Sequence, residues 1–126
     1  MRNSLPVQSR RILLVEPSYL VAMDLCQKLR RGGAIVLGPV PKVEQAQMML
    51  ARKDVEATLF SASLPGGEAL AAQLAVWRSP SLLLSYVPLP AGHPIRSGRP
   101  QLVIPAEDEA LLQAAGALFL PQDSSA

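Results

Sequence analysis

The stretch Ile12-Leu-Leu-Val-Glu-Pro17 shows the pattern that organises this chain. Its continuous apolar run is typical of a strand that is buried on both faces of a parallel sheet. Similar short runs lie at residues 34–37, 57–60, 81–85 and 101–104, and helical patterns separate most of them. Strands that alternate with helices in this way predict βα units and a parallel sheet.

The intervening segments carry apolar residues at helical spacing. Before Gly32-Gly33 they form a stripe at the i, i+3, i+4 spacing, made by Val21, Ala22, Leu25, Cys26 and Leu29. We expect Cys26 to be a small core residue, and we expect Trp77, on a later helix, to pack in the core as well. The last helix is predicted over residues 107–120, because three acidic residues at its start suit the positive end of the helix dipole.

The connection between the last two strands lacks a helical pattern. Residues 87–100 contain prolines at four positions and glycines at two, at Pro88, Pro90, Pro94, Pro100, Gly92 and Gly98. Because proline removes a helical hydrogen bond and glycine disfavours a helix, this crossover is predicted to be a loop or a single turn. His93 lies within it and is expected to be a solvated loop residue, since no second metal ligand accompanies it.

Composition excludes several classes of protein. The chain has 126 residues, enough for one domain, and its net charge of +2 comes from 12 basic and 10 acidic residues that are mostly scattered. We therefore expect no nucleic-acid partner. A single cysteine excludes an internal disulfide and indicates a reducing compartment, and no apolar run is long enough to span a bilayer. These features predict a cytoplasmic protein without a membrane partner.

Several segments together resemble the receiver domains of two-component response regulators. The likeness rests on residues 12–16 at the first strand, Leu64-Pro-Gly-Gly67 after the third, and Pro105 after the fifth, and it covers residues 11–120. It implies a flavodoxin-like α/β fold with three α/β/α layers and a five-stranded parallel sheet of order 2-1-3-4-5. The fourth helix of that fold is expected to be short or absent. The site of such a sheet lies at the carboxyl ends of its strands.

The resemblance also assigns roles to residues at those strand ends. Glu16 keeps the first acid of a pair that normally helps to hold Mg²⁺, whereas Pro17 replaces the second. Ser61 stands in place of the phosphoacceptor aspartate, and Ser85 keeps a hydroxyl at the end of the fourth strand. Ile104 occupies the position of the lysine that normally pairs with the phosphoryl group.

These exchanges predict a degenerate phosphorylation pocket. Mg²⁺ is usually anchored by one or two carboxylates, so Glu16 alone should hold it weakly at best. A serine hydroxyl is a poor nucleophile without an activating base, and no histidine lies near these strand ends in sequence. We therefore expect no catalytic residue, no metal and no cofactor. Structural roles remain open for the polar residues: a solvated or helix-capping carboxylate for Glu16, and hydrogen-bonded turn residues for Ser61 and Ser85.

The last predicted helix offers a candidate interaction surface. No charge occurs from Ala110 to Gln122, so the face opposite its apolar stripe is small and uncharged, formed by Ala110, Gln113, Ala114 and Ala117. Exposed helix faces normally carry charged residues, and small side chains allow a second helix to approach closely. We expect this face to bind another protein or a second copy of the chain. A merely solvated, alanine-rich helix is the alternative. Leu20 is a second exposed apolar residue, predicted to be isolated.

Taken together, the residues and the resemblance predict a phosphorylation-independent signalling module that is not an enzyme. Residues 1–10 are expected to be a flexible N-terminal segment, residues 11–120 the receiver-like domain and residues 121–126 a flexible tail. Its partner would be itself, a histidine kinase or another signalling protein. Two alternatives stay open: a phosphorelay receiver that accepts phosphate on Ser61 or another unusual residue, and a small serine hydrolase. The hydrolase is disfavoured because Ser61 lies outside a G-x-S-x-G motif.

Overall fold

A computed structural model describes residues 6–52 and 54–121 of the chain. Its strands form one parallel sheet of order β2-β1-β3-β4-β5, which confirms the predicted topology. The strands are β1 (Arg11–Val15), β2 (Ile35–Val40), β3 (Ala57–Ser61), β4 (Ser81–Ser85) and β5 (Gln101–Val103). The described helices are α1 (Tyr19–Arg31), α2 (Val43–Ala51), α3 (Gly67–Val76) and α4 (Asp108–Gly116), followed by a short 3₁₀ helix at Ala117–Phe119.

The helices cover both faces of the sheet and create two cores. On one face, α1 and α4 bury Leu25, Cys26 and Leu111 against the sheet. On the other face, α2 and α3 bury residues such as Ala46 and Leu70. The central strands face both cores and are therefore apolar on both sides, as in a three-layer α/β/α fold. Cys26 is a core residue, in agreement with the prediction.

The last helix is shorter than predicted. Its α-helical part ends at Gly116 and not at Leu120, and the chain then tightens into the 3₁₀ turn. Glycine is a poor helix former, and the absence of a side chain at Gly116 leaves room for Pro6, which a Cβ atom there would meet. Pro6 thus packs against the end of α4.

The packed structure begins before Arg11. Val7 is fully buried in the core under α1 and α4, and the N–H of Ser9 donates to the carbonyl of Gly33 at 2.8 Å. Residues 6–10, which we expected to belong to a flexible N-terminal segment, thus include a residue that completes the core. Residues 1–5 and 122–126, for which we also predicted flexibility, lie outside the described residues.

The crossover between β4 and β5 contains no helix, as predicted from its prolines and glycines. It is nevertheless packed: Ile95 is buried against the α2–α3 core, and the Arg99 guanidinium donates to the carbonyl of Ala71 at 2.7 Å. His93 is half-buried, and its Nδ1 accepts the N–H of Ile95 at 3.2 Å. The histidine is thus held within its own loop and is not freely solvated.

The prediction for Trp77 was wrong. Its side chain is 51% exposed, because α3 ends at Val76 and Trp77 follows as the C-cap residue. The next residue, Arg78, has a positive φ of 55°, which turns the chain away from the helix path. Among the described residues, no helix is long and apolar enough to cross a membrane.

Candidate functional site

The sheet brings the predicted pocket residues to its carboxyl edge. Ser61 ends β3 and Ser85 ends β4, while Glu16 and Ile104 directly follow β1 and β5. Neighbouring strands are in register there, since Ser61 pairs with Leu84 and the N–H of Ile104 donates to the carbonyl of Ser85 at 2.8 Å. The parallel topology thus places these residues where a doubly wound sheet binds ligands.

Glu16 is directed into the protein and not towards solvent. Its side chain is only 2% exposed, and its Oε2 accepts the N–H of Ser18, the N-cap residue of α1, at 2.8 Å. Its Oε1 is sealed from solvent and has no hydrogen-bond partner among the described residues. The carboxylate therefore supports the start of α1 through one oxygen, while its other oxygen is buried.

The Ser61 hydroxyl forms hydrogen bonds within a local turn. Ser61 is 1% exposed, and its Oγ shares a hydrogen bond of 2.8 Å with Ser63 Oγ. It also accepts the N–H of Ser63 at 3.2 Å. No basic side chain contacts this oxygen within the described part of the chain, so nothing in the structure activates it as a nucleophile.

Ser85 lies beside Gln101, a residue that we did not single out from the sequence. The Ser85 Oγ lies 3.5 Å from Gln101 Oε1, at the long limit for a hydrogen bond. The same Gln101 side chain accepts the N–H of Leu89 at 3.1 Å and donates to its carbonyl at 3.2 Å. Gln101 therefore pins the crossover loop onto β5. A polar residue at the start of a short, otherwise apolar strand was the only available signal.

Ile104, at the position where the receiver resemblance places a lysine, packs against apolar side chains. Its side chain is buried in the α1–α4 core, and it also lines an apolar groove of about 310 Å³ between α1 and the chain after β5. Leu20, Tyr86 and Pro105 line the same groove. The prediction that Leu20, which is 80% exposed, is isolated was therefore wrong, because the fold places Tyr86 beside it.

The residues at this edge do not fit a magnesium ion. Glu16 has one oxygen engaged and the other sealed, while Pro17 and Ser61 supply no carboxylate. No group of three or more potential ligands among His, Cys, Asp and Glu occurs in residues 6–52 and 54–121. A hard cation needs several oxygen ligands, so we derive no step that depends on one.

The residues that we predicted to form an interface on the last helix differ in exposure. Ala110, Gln113 and Ala117 are exposed, whereas Ala114 is half-buried and packs against the α1–α4 core. The start of α4 is tied to α1, because Asp108 forms an ion pair of 3.0 Å with Arg31. The uncharged surface available to a partner is thus narrower than the sequence predicts.

The sheet order, the layers and the position of this edge are those of a receiver domain. The chain resembles the BeF3-activated conformation of SdrG from Pseudomonas melonis Fr1 with 24% identity and a TM-score of 0.71, over 94% of this chain and 100% of that chain. It resembles the signal receiver domain of an HD domain-containing protein from Pseudomonas fluorescens Pf-5 with 23% identity and a TM-score of 0.75, over 89% and 95%.

A third similar structure is the CheX-CheY-BeF3-Mg complex from Borrelia burgdorferi, with 14% identity and a TM-score of 0.75, over 90% of this chain and 92% of that chain. No protein-family model and no curated protein matches the sequence. These likenesses establish the receiver-domain fold.

Proposed function

We propose that this protein is a phosphorylation-independent receiver-like module that acts in signal transduction by binding another protein or a second copy of itself. The observation that carries this proposal is the state of Glu16. Glu16 is the single carboxylate at the pocket. Its Oε2 accepts a hydrogen bond from the N-cap residue of α1, and its Oε1 is closed to solvent.

A phosphorylated receiver depends on charge at this place. Transfer of a phosphoryl group is catalysed almost entirely by positioning and by electrostatic stabilisation, with a metal ion that neutralises the developing charge. Ser61 and Ile104 offer neither a carboxylate acceptor nor a cation, and the two side chains are buried. The SdrG and CheY structures are described with BeF3, and the CheY structure also with Mg. We infer that this chain has lost the corresponding capacity.

Binding surfaces remain after that loss. The exposed small residues of α4 lie on one side of the molecule, and the groove lined by Leu20, Tyr86 and Ile104 lies at the carboxyl edge. Exposed apolar surface of this kind is typical of protein interaction sites. The CheY structure includes a protein partner, CheX, and a kinase or another signalling protein is the corresponding partner that we propose here. We propose a cytoplasmic location, in keeping with the single buried cysteine.

No observation on residues 6–52 and 54–121 favours an enzyme. A phosphorelay role through Ser61 would need an activated oxygen, yet that hydroxyl bonds only to Ser63 among the described residues. The same geometry weighs against a serine hydrolase. We therefore propose that the protein has no catalytic activity of its own.

A titration with Mg²⁺ and beryllofluoride, followed by amide NMR, tests this proposal. The expected result is that the amide shifts of Glu16, Ser61 and Ser85 stay unchanged. Saturable shifts at these amides would show that the pocket still captures a phosphoryl group with its metal, and would overturn the proposal.

A further inference from the structure

A second cleft lies at the opposite, amino-terminal edge of the sheet. It has a volume of about 580 Å³ and is formed by the α3–β4 connection, the end of the crossover loop and the 3₁₀ helix. Leu74, Leu118 and Leu120 contribute apolar walls, while Arg78, Arg99 and Ser81 contribute polar groups. A volume between roughly 300 and 1,000 Å³, with a few polar groups on an apolar lining, is typical of small-molecule sites.

Arg99 brings a buried positive charge to this cleft. Its guanidinium donates to the carbonyls of Ala71 at 2.7 Å and Ile95 at 3.3 Å, and it lies 5.1 Å from the centre of the Phe60 ring. Arginine carries five N–H donors, and these bonds use two of them. No carboxylate among the described residues pairs with it.

The charge of Arg99 is poorly compensated as a result. Burial lowers the pKa of Arg99, because desolvation disfavours its charged form. A guanidinium stays charged in proteins even so, and carbonyl groups offset its lost hydration only in part. An anion in the cleft would stabilise it.

Ser81 contributes a hydroxyl group to the cleft. The residue is only 6% exposed and is one of those that line the cleft. A serine hydroxyl can both donate and accept a hydrogen bond, which suits an anionic group. Ser81 sits at the first position of β4, next to the connection that contains Arg78. A hydroxyl group therefore lines the same cleft as two arginines.

The rim of the cleft also holds unusual backbone. Arg78 has φ 55° and Ser97 has φ 49°, and these are two of the three described residues other than glycine with a positive φ. Residues of this kind are disfavoured in the left-handed region and persist where the surrounding structure holds them, often at functional sites. Arg78 is exposed and has no ion pair within the described residues, so its charge is available at the mouth of the cleft.

We propose that this cleft binds a small organic anion. Its carboxylate or phosphate group would lie between Arg78, Arg99 and Ser81, and its apolar part would rest against Leu118 and Leu120. The cleft and the degenerate pocket are at opposite edges of the sheet, so this inference does not depend on the proposed signalling role.

An NMR titration with phenyl phosphate tests the site. We expect saturable shifts at the amides of Ser81, Gly98 and Arg99, weaker binding of inorganic phosphate, and no saturable shift with benzyl alcohol, which lacks the charge. A parallel titration with benzoate shows which anionic group the site prefers. Saturation by neither phenyl phosphate nor benzoate would overturn the proposal, as would shifts confined to Glu16 and Ser61.

Two variants separate specific binding from general attraction of anions. Arg78→Gln and Ser81→Ala leave Arg99 in place, because Arg99 also holds the crossover loop against α3. Each is expected to weaken phenyl phosphate binding by about threefold or more, as the loss of an exposed charge or a hydrogen bond does. Lys42→Gln, which removes the same charge at the opposite edge, should leave the affinity unchanged. Equal affinity in wild type and in both cleft variants would contradict the proposal.

Discussion

The N–H of Ser18 donates to Oε2 of Glu16 at 2.8 Å, and this bond ties the carboxylate to the start of the first helix. Ser18 is the N-cap of α1, and its own hydroxyl accepts the N–H of Val21. Glu16 thus steadies the residue that caps the helix. The carboxylate therefore has a structural role at this edge of the sheet.

The acceptor function of Glu16 should matter more than its charge. Glu16→Gln keeps an oxygen for the Ser18 N–H and removes a buried charge, so we expect the free energy of unfolding to change by less than about 1 kcal/mol. Glu16→Ala removes the acceptor and should cost about 1 kcal/mol more than the glutamine variant. Urea denaturation measures both. If the glutamine variant is as unstable as the alanine variant, the negative charge itself supports the fold.

If the pocket lacks only charge, as we propose, charged substitutions there should allow it to bind a phosphoryl mimic together with Mg²⁺. We predict that Pro17→Asp combined with Ser61→Asp and Ile104→Lys produces Mg²⁺-dependent amide shifts with beryllofluoride at positions 17 and 61. Because Ile104 is buried in the core, the lysine variant should also lose roughly 1–3 kcal/mol of stability. The double variant that keeps Ile104 serves as the control and should bind the mimic more weakly. A folded triple variant that remains inert would show that the backbone, and not only the charge, differs from a working receiver.

A charge on the exposed face of α4 should disrupt self-association. Ala110→Lys places an ammonium group on the small, uncharged face, where burial against a second copy would be costly. We expect a larger monomer fraction in sedimentation equilibrium. Ala72→Lys, at an exposed alanine of α3, is the matched control and should have no effect. Ala114 is a poorer site for this test, since its half-buried side chain packs against the core. Equal dimerisation of both variants would locate the interface elsewhere.

Glu56 should make stability depend on pH. The N–H of Arg11 donates to its Oε1 at 2.8 Å and Arg10 pairs with its Oε2 at 3.1 Å, which together hold the pKa of the Glu56 carboxyl below its ordinary value despite some desolvation. A lowered folded pKa stabilises the protein above the unfolded pKa of about 4.3, and this contribution is lost as pH falls through the folded pKa.

We therefore predict that Glu56→Gln lowers stability at neutral pH and that the difference from wild type shrinks in acid. The loss should stay under about 1 kcal/mol, because the pair is partly exposed and solvent screens it. Urea denaturation at a series of pH values measures it. A loss that is the same in acid and at neutral pH would show that the glutamate acts through its shape alone.

Elements with strong local patterns were predictable from the sequence. The apolar runs that became β1, β3 and β4 and the stripe that contains Cys26 depend on spacing within one segment, and proline and glycine disfavour a helix in the crossover by their own geometry. Trp77 was misplaced because the point where a helix ends depends on the turn at Arg78, not on apolar spacing. The strand ends of the candidate pocket followed once the strands were recognised.

Contacts between distant segments could not be predicted from local sequence patterns. Periodicity was enough to indicate a parallel α/β sheet, since it follows from residues near one another in the chain. The pocket with a single acid was implied only by the resemblance to receiver domains. The pairing of Gln101 with Leu89, the burial of Val7 and the cleft shared by Ser81 and Arg99 arise only when remote segments pack together. Which distant residues come into contact depends on how the side chains of the whole core fit together and exclude water. These properties cannot be calculated from one segment of the sequence.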